Sequence, residues 1–327
     1  MDTLMIYGAT GYTGRMAAEH AVAAGLKLIL GGRDTARLVP LADELGVEYR
    51  AFGLQDTAAV ENAISGVSVL LNCAGPFAKT AEPLVTAAIR SGVHYLDVAA
   101  ELDSYLLAET LDEEAQAAGV MLLPGSGGSV AMLGCLAGHA AQRVSNVRRM
   151  GIALHVTGSM SRGSAISAAE NMTTEVLHRV DGTLASRDPG NVREFDFGTG
   201  PVICQPVTLP DLVTIWKATK IPNIETFVHV SGGAFPQGDL AALPDGPTAE
   251  QRDANRYQAT AVVEGEDGVV ARSVLDTVNG YTFTPMAAAE AARRVLAGEH
   301  KPGFRTPAAL FGNGFAETIA DTRISDF

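Results

Sequence analysis

Runs of lysine and arginine are missing from this chain. Its 24 basic residues are dispersed and outnumbered by 37 aspartates and glutamates, for a formal net charge of −13. That balance excludes the electrostatic footprint of a nucleic-acid or anionic-membrane partner. Cysteine is scarce as well. Cys73, Cys135 and Cys204 lie far apart with no C-x-x-C spacing, which excludes a disulfide framework and fits a reducing compartment. The seven histidines do not fall at metal-ligand spacing, and His94, His139 and His155 stand alone in apolar stretches, so no metal is expected. Charge is absent from Gly119 to Gly138, yet Pro124, Gly125, Gly127, Gly128 and Gly134 interrupt that stretch. A continuous membrane helix is thereby excluded, and a buried strand, a loop and a buried helix are expected instead. No basic segment precedes an apolar run at the N-terminus, and the first apolar run ends at Gly8. No signal peptide is read, and the cytoplasm is the expected compartment.

Glycine, by contrast, is placed with purpose. Leu4-Met5-Ile6-Tyr7 reads as a short apolar strand, followed by Gly8-Ala9-Thr10-Gly11-Tyr12-Thr13-Gly14 and a helical run with Met16, Ala17, Ala21 and Ala24 at apolar positions. Strand, glycine-spaced turn and helix together form the device that holds a dinucleotide pyrophosphate on the positive end of a helix. Gly8 permits the tight turn, Gly11 lets the backbone approach the phosphates, and Gly14 lets helix and strand pack closely. Gly8, Thr10, Gly11, Tyr12, Thr13 and Gly14 are therefore candidate cofactor contacts.

A length of 327 residues corresponds to about two domains. Strands are predicted at about 3–7, 27–32, 47–52, 67–72, 93–98 and 119–123, with helices between them at about 13–24, 34–45, 56–64, 79–91 and 102–118. This alternation predicts βαβ units and a doubly wound parallel sheet of Rossmann type. After Pro124 the rhythm changes. A helix at 129–142, a strand at 147–157, a helix at about 163–179, loops with short strands over 181–210 and a strand at 224–231 follow. Residues 234–256 read as a surface excursion. Tyr257–Glu264 and Val269–Val278 flank an Asp-Gly turn as a hairpin, and a last helix covers about 285–297. The expected fold class is α/β, with a second α+β domain built on a mixed or antiparallel sheet. Residues 1–127 are expected to form the dinucleotide-binding domain, completed by 305–327, with 128–304 as a substrate and dimerisation domain.

The second strand ends in Gly31-Gly32-Arg33-Asp34. A carboxylate at this point holds the ribose 2′-hydroxyl of NAD, whereas a planar guanidinium suits the 2′-phosphate of NADP. Asp34 precedes a helical run and reads as its N-cap, so Arg33 favours NADP over NAD, with Arg37 as a second phosphate partner. The fourth strand ends in Asn72-Cys73-Ala74-Gly75-Pro76-Phe77. Ala74 and Gly75 are small enough for a cofactor to pass over the backbone, and Phe77 is a candidate to cover one nicotinamide face. Cys73 reads as a small core residue.

Several of these segments resemble the saccharopine dehydrogenase-like oxidoreductases. The resemblance is carried by Gly8 through Arg15, Gly32-Arg33, Asn72 through Phe77, His94-Tyr95-Leu96-Asp97-Val98-Ala99-Ala100-Glu101 and, near the C-terminus, Gly303 through Gly312. It implies an NADP-binding domain joined to a mixed α/β domain, with hydride transfer between them. Members act on saccharopine-type imines and amines, on enoyl lipid intermediates, or on unassigned substrates. At Pro124-Gly125-Ser126-Gly127-Gly128-Ser129 the chain departs from the pattern, since many relatives carry an Asp there, followed later by Pro and Asp. The saccharopine reaction itself is therefore not carried over.

Candidate catalytic groups are few. Hydride transfer asks mainly for positioning, because the cofactor supplies the chemistry. None of the seven tyrosines precedes a lysine by four residues, so the short-chain dehydrogenase acid–base pair is missing. Asp97, at the carboxyl end of a parallel strand, and Glu101, near the start of the next helix, are the best polar candidates. The plainer reading of both is a cap or loop hydrogen bond. Cys135 as an aldehyde-oxidising nucleophile is outweighed by its apolar neighbours Met132, Leu133, Leu136 and Ala137. Arg162-Gly163-Ser164 opens a helix that suits either a substrate anion or close packing. The leading expectation is an NADP-dependent oxidoreductase acting on a small metabolite or acyl intermediate, as a homodimer. The alternative is a non-catalytic NADP-binding redox sensor.

Overall fold

The computed structural model describes residues 2–171, 175–232 and 239–327. The chain opens with β1 (Leu4–Tyr7), α1 (Tyr12–Ala23), β2 (Leu28–Gly32), α2 (Thr35–Leu45), β3 (Glu48–Ala51) and α3 (Thr57–Ile64). It continues with β4 (Val69–Asn72), α4 (Phe77–Ser91), β5 (His94–Asp97), α5 (Leu102–Thr110), α6 (Asp112–Ala117) and β6 (Met121–Leu123). Next come α7 (Gly128–Ala141), β7 (Val147–Thr157), α8 (Arg162–Asn171), β8 (Leu177–Val180), β9 (Thr183–Ser186), β10 (Arg193–Asp196) and β11 (Pro201–Pro206). The last part holds α9 (Asp211–Thr219), β12 (Asn223–Ser231), α10 (Ala249–Asp253), β13 (Tyr257–Gly265), β14 (Val270–Thr277), α11 (Gly280–Leu296), β15 (Gly303–Phe304), α12 (Pro307–Phe311) and β16 (Arg323–Asp326).

Two compact units divide the chain: Met1–Gly128 with Thr284–Arg305, and Ser129–Phe283 with Thr306–Phe327. Among the described residues, the first unit carries a seven-stranded sheet in the order β15-β6-β5-β4-β1-β2-β3. Every pairing in it is parallel. β1 and β4 are buried throughout, as strands covered by helices on both faces must be. The order reverses between β1 and β4, the place where open α/β sheets bind ligands. The uncharged stretch 119–138 resolves into β6, a loop and α7, and among the described residues no helix is long and apolar enough to cross a membrane.

In the second unit the sheet runs β10-β11-β12-β7-β13-β14-β16, with β8 added on β12 and β9 on β8. β7 is its central strand, parallel to β12 and antiparallel to β13. A compact apolar cluster of Ala153, Phe195, Phe197, Cys204 and Phe227 covers part of it.

Three sequence expectations need correction. Residues 305–327 do not complete the first unit. Gly303 and Phe304 do, by adding in parallel to β6, with the Gly303 amide donating to the Val120 carbonyl at 2.7 Å. Past Arg305 the chain joins the second unit, because β16 pairs antiparallel with β14. The helix expected over 163–179 is described over Arg162–Asn171. Its 172–174 portion lies outside the described residues, and Leu177–Val180 is a strand. That strand turns back through Asp181 (φ 47°) and Gly182 (φ 80°), the geometry of a tight hairpin. Helix α9 was not anticipated at all. Of the expected surface excursion, residues 234–238, including Pro236 and Gly238, also lie outside the described residues.

Candidate functional site

The parallel register aligns Gly31, Tyr7, Asn72 and Asp97 in one row across β2, β1, β4 and β5. All the candidate residues of the first unit therefore follow strand ends on the same edge of the sheet. There the glycine turn is built by exclusion. Gly8 has φ +80°, and a Cβ on it would lie 2.8 Å from the Ala74 amide nitrogen and Cβ. A Cβ on Gly14 would lie 2.2 Å from the Gly8 carbonyl oxygen. Only glycine fits either place. The turn closes through the Gly11 amide donating to the Gly8 carbonyl at 3.0 Å, while the Gly8 and Ala9 amides both donate to Gly31.

Gly11 is the N-cap of α1. It offers no side-chain cap, and the first turn, with Tyr12, Thr13 and Gly14, holds no acidic residue. The positive end of this twelve-residue helix thus meets no protein carboxylate in its own first turn. A backbone cradle without side chains, set at a helix N-terminus, fits the pyrophosphate of a dinucleotide.

Thr10 is fixed from the first turn of α2. Arg37 donates through Nη2 to the Thr10 carbonyl at 2.8 Å, and its own amide donates to Oδ1 of Asp34 at 3.3 Å. Asp34 is accordingly the N-cap of α2. Arg33, directly past β2, is exposed. It lies close enough to Tyr7 for its charge to pull the phenol downward, against the larger upward push of burial. Tyr7 packs on Phe52, with ring centroids 5.0 Å apart.

On the β4 side, Asn72 organises the chain that carries Ala74 and Gly75. Its Oδ1 accepts from the Ala74 amide at 2.9 Å, and its Nδ2 donates to Thr80 Oγ1 at 3.1 Å and to the Tyr95 hydroxyl at 3.2 Å. Phe77 opens α4 and is buried, with its ring 3.8 Å from the place a Gly75 Cβ would take.

Both acidic candidates are buried and engaged. Oδ2 of Asp97 accepts from the Tyr95 hydroxyl at 2.9 Å, and Oδ1 accepts from the amides of Gly125 at 2.7 Å and Ala99 at 3.0 Å. Burial pushes the Asp97 carboxyl up to about 6, opposed by these three donors and reinforced by the charge of Glu101. Glu101 caps α4 from a distance in sequence, with Oε1 on the Phe77 amide at 3.2 Å and Oε2 on the Ala78 amide at 2.9 Å. Pro76, at the N-cap position itself, has no side chain to do this.

Comparison with known proteins agrees with this geometry. Residues 4–123 match the model of the saccharopine dehydrogenase NADP binding domain. The trans-acting enoyl reductase of Mycobacterium tuberculosis (strain ATCC 25618 / H37Rv) is 30% identical over 106 residues, covering 30% of this chain and 25% of that protein. The Mycobacterium ulcerans (strain Agy99) protein of the same name is 29% identical with the same coverage. The chain therefore spans about a quarter of the length of these relatives. Among solved structures, an apo saccharopine dehydrogenase (L-Glu forming) from Saccharomyces cerevisiae has the same fold across 100% of both chains, with a TM-score of 0.69 at 13% identity. Over residues 4–123 the first unit is thus similar to the NADP-binding domain of the saccharopine dehydrogenases.

Within this family fold the cysteines are quiet. Burial and the charge of Asp97 raise the Cys73 thiol far above its usual range. Cys135, on α7 in the second unit, is fully buried, and burial pushes its thiol up to about 12. A thiolate nucleophile has no support at either position. In the second unit Arg162 opens α8 beside Asp245, its ion-pair partner. The Asn72–Tyr95–Asp97 chain of hydrogen bonds was not anticipated as a unit. All three residues fell inside motifs quoted from the sequence, but nothing in their spacing says that the β4–β5 register sets Asn72 opposite Asp97, with Tyr95 two residues back along β5.

Proposed function

We propose that the protein is an NADP(H)-dependent oxidoreductase that transfers a hydride to or from a small metabolite or an acyl intermediate. The observation that carries this reading is the side-chain-free cradle at Gly8, Gly11 and Gly14, backed by Ala74 and set at the uncapped start of α1. When bound, the dinucleotide would supply or accept the hydride, and this chain's residues would hold and orient it. The α1 amides receive the pyrophosphate, Ala74 and Gly75 leave the path past β4 open, and Arg33 grips the 2′-phosphate. NADP is preferred over NAD because Asp34, the one carboxylate at the end of β2, already accepts from the Arg37 amide. The name of the mycobacterial relatives, trans-acting enoyl reductase, supports an enoyl acyl intermediate as one substrate class.

A second reading, an NADP-binding redox sensor without turnover, is favoured by one observation. Both oxygens of Asp97 and both of Glu101 accept hydrogen bonds from the protein itself. A screen of NADPH oxidation against imines, enones and aldehydes, run beside a direct binding titration, separates the two. Turnover on any of them supports the oxidoreductase, and binding without turnover supports the sensor. For quaternary structure we propose a homodimer formed through the second unit, whose strand β11 exposes Ile203. Sedimentation of the chain and of Ile203→Asp tests it. The cytoplasm is the compartment that fits three free cysteines.

A further inference from the structure

A cavity of about 360 Å³ opens on the sheet of the second unit, far in sequence from the Gly8–Gly14 turn. Its floor is set by register. Glu264, Arg149 and Asn223 oppose one another on β13, β7 and β12, and Val262, Gly151 and Glu225 form the next row on the same face. Gly151 makes the space, because a Cβ there would lie 2.6 Å from Nη1 of Arg193 and 3.3 Å from the Phe195 ring.

Four guanidiniums line this cavity, those of Arg148, Arg149, Arg179 and Arg193, against the two carboxylates of Glu225 and Glu264. The carboxylates are shared. Glu264 pairs with both Arg148 and Arg149. Glu225 pairs with Arg193 at 3.5 Å and with Arg187, just behind the cavity, at 3.2 Å. Arg179 donates to the carbonyls of Leu212 and Gly182. Positive charge therefore exceeds negative here, in a chain whose net charge is −13. Nε and Nη1 of Arg187 are buried without a hydrogen-bond partner among the described residues, in a side chain only 4% exposed.

The guanidiniums are also held in place. Arg179 lies over Trp216 at 5.1 Å, Arg187 over Phe227 at 4.7 Å and Arg193 over Phe195 at 5.0 Å. Stacking fixes the plane of each fork before a ligand arrives, which lowers the entropic cost of binding. Planar forks with unmatched charge suit a phosphate group, whose oxygens accept two parallel N–H donors.

We propose that this cavity binds a phosphate- or diphosphate-bearing small molecule, held by Arg149 and Arg193 with Arg148 at the rim. The site is built from residues of the second unit alone, none of which belongs to the dinucleotide cradle.

The test is calorimetric titration of inorganic pyrophosphate into the full chain at fixed ionic strength, with NADPH present in excess to fill the cradle. One saturable site per chain is expected. Arg193→Gln should weaken it roughly tenfold, the loss of one charge-assisted hydrogen bond, whereas Arg90→Gln, at a surface pair in the first unit, should leave it unchanged. Glu225→Gln should tighten binding, because it frees Arg187 and Arg193 from their shared carboxylate. A misfolded variant does not mimic that gain. The proposal is overturned if no saturable site is found, if NADPH abolishes it, if Arg193→Gln leaves it unchanged, or if Glu225→Gln weakens it.

Discussion

The Tyr95 hydroxyl donates to Oδ2 of Asp97 across 2.9 Å, two residues away along β5, with both side chains wholly inside the protein. This bond and the amides of Gly125 and Ala99 keep the carboxylate form accessible in a place where burial alone opposes it.

Stability should consequently depend on pH in a defined way. In the folded chain Asp97 holds its proton up to about pH 6, against an ordinary value of 3.8. Between those values the folded state binds the extra proton, so stability falls as pH rises through the window. The drop is roughly 2–3 kcal/mol. Asp211, the buried first residue of α9, adds a similar fall up to about pH 7, because burial raises its carboxyl too. The readout is therefore a difference. Urea denaturation of the parent, minus that of Asp97→Asn, should slope downward from about pH 4 to 6 and stay flat above. A flat difference throughout would show that Asp97 ionises normally.

Gly14→Ala is expected to abolish NADPH binding and to cost about 1–3 kcal/mol, since its methyl must enter the space of the Gly8 carbonyl. Gly25→Ala tests whether any glycine replacement has this effect. Gly25 has positive φ but open space around its Cβ position, so it should lose stability and keep its NADPH affinity. Fluorescence titration with NADPH distinguishes the two.

Arg33→Ala should weaken NADPH about tenfold, or about 1.4 kcal/mol, and leave NADH nearly unchanged. Equal losses for both nucleotides would remove Arg33 from the 2′-phosphate.

Glu101→Ala removes the cap of α4 and should cost about 1–2 kcal/mol in thermal or urea denaturation. Glu101→Gln keeps one acceptor oxygen and should lose less. If the two variants match the parent in stability, the carboxylate does not hold the Phe77 and Ala78 amides.

The first unit was legible because its signals are local. Strands such as Val69–Asn72 are apolar on both faces, and glycine spacing and caps such as Asp34 mark the turns between them. What was hidden depends on contacts distant in sequence. α9 reads Asp-Leu-Val-Thr-Ile-Trp, and its β-branched run argues for a strand until its buried face is seen against β12. β16 is four mostly polar residues that become a strand only by lying along β14. The β8–β9 hairpin did carry a local signal, Asp181-Gly182, which the helical pattern before it outweighed. At the site, Glu101 was legible as a capping acid, but the helix it caps begins 24 residues earlier. Only the strand order brings the two together.

The strand that flanks β6 arrives late. During synthesis on a ribosome, Met121–Leu123 must wait with one margin uncovered until Gly303 and Phe304 emerge, after nearly the whole second unit has been translated. A nascent chain halted before that point presents an open β margin to its neighbours, the template on which chains aggregate. Nonsense truncations anywhere between 129 and 302 should therefore be cleared or precipitate, rather than survive as a free nucleotide-binding fragment.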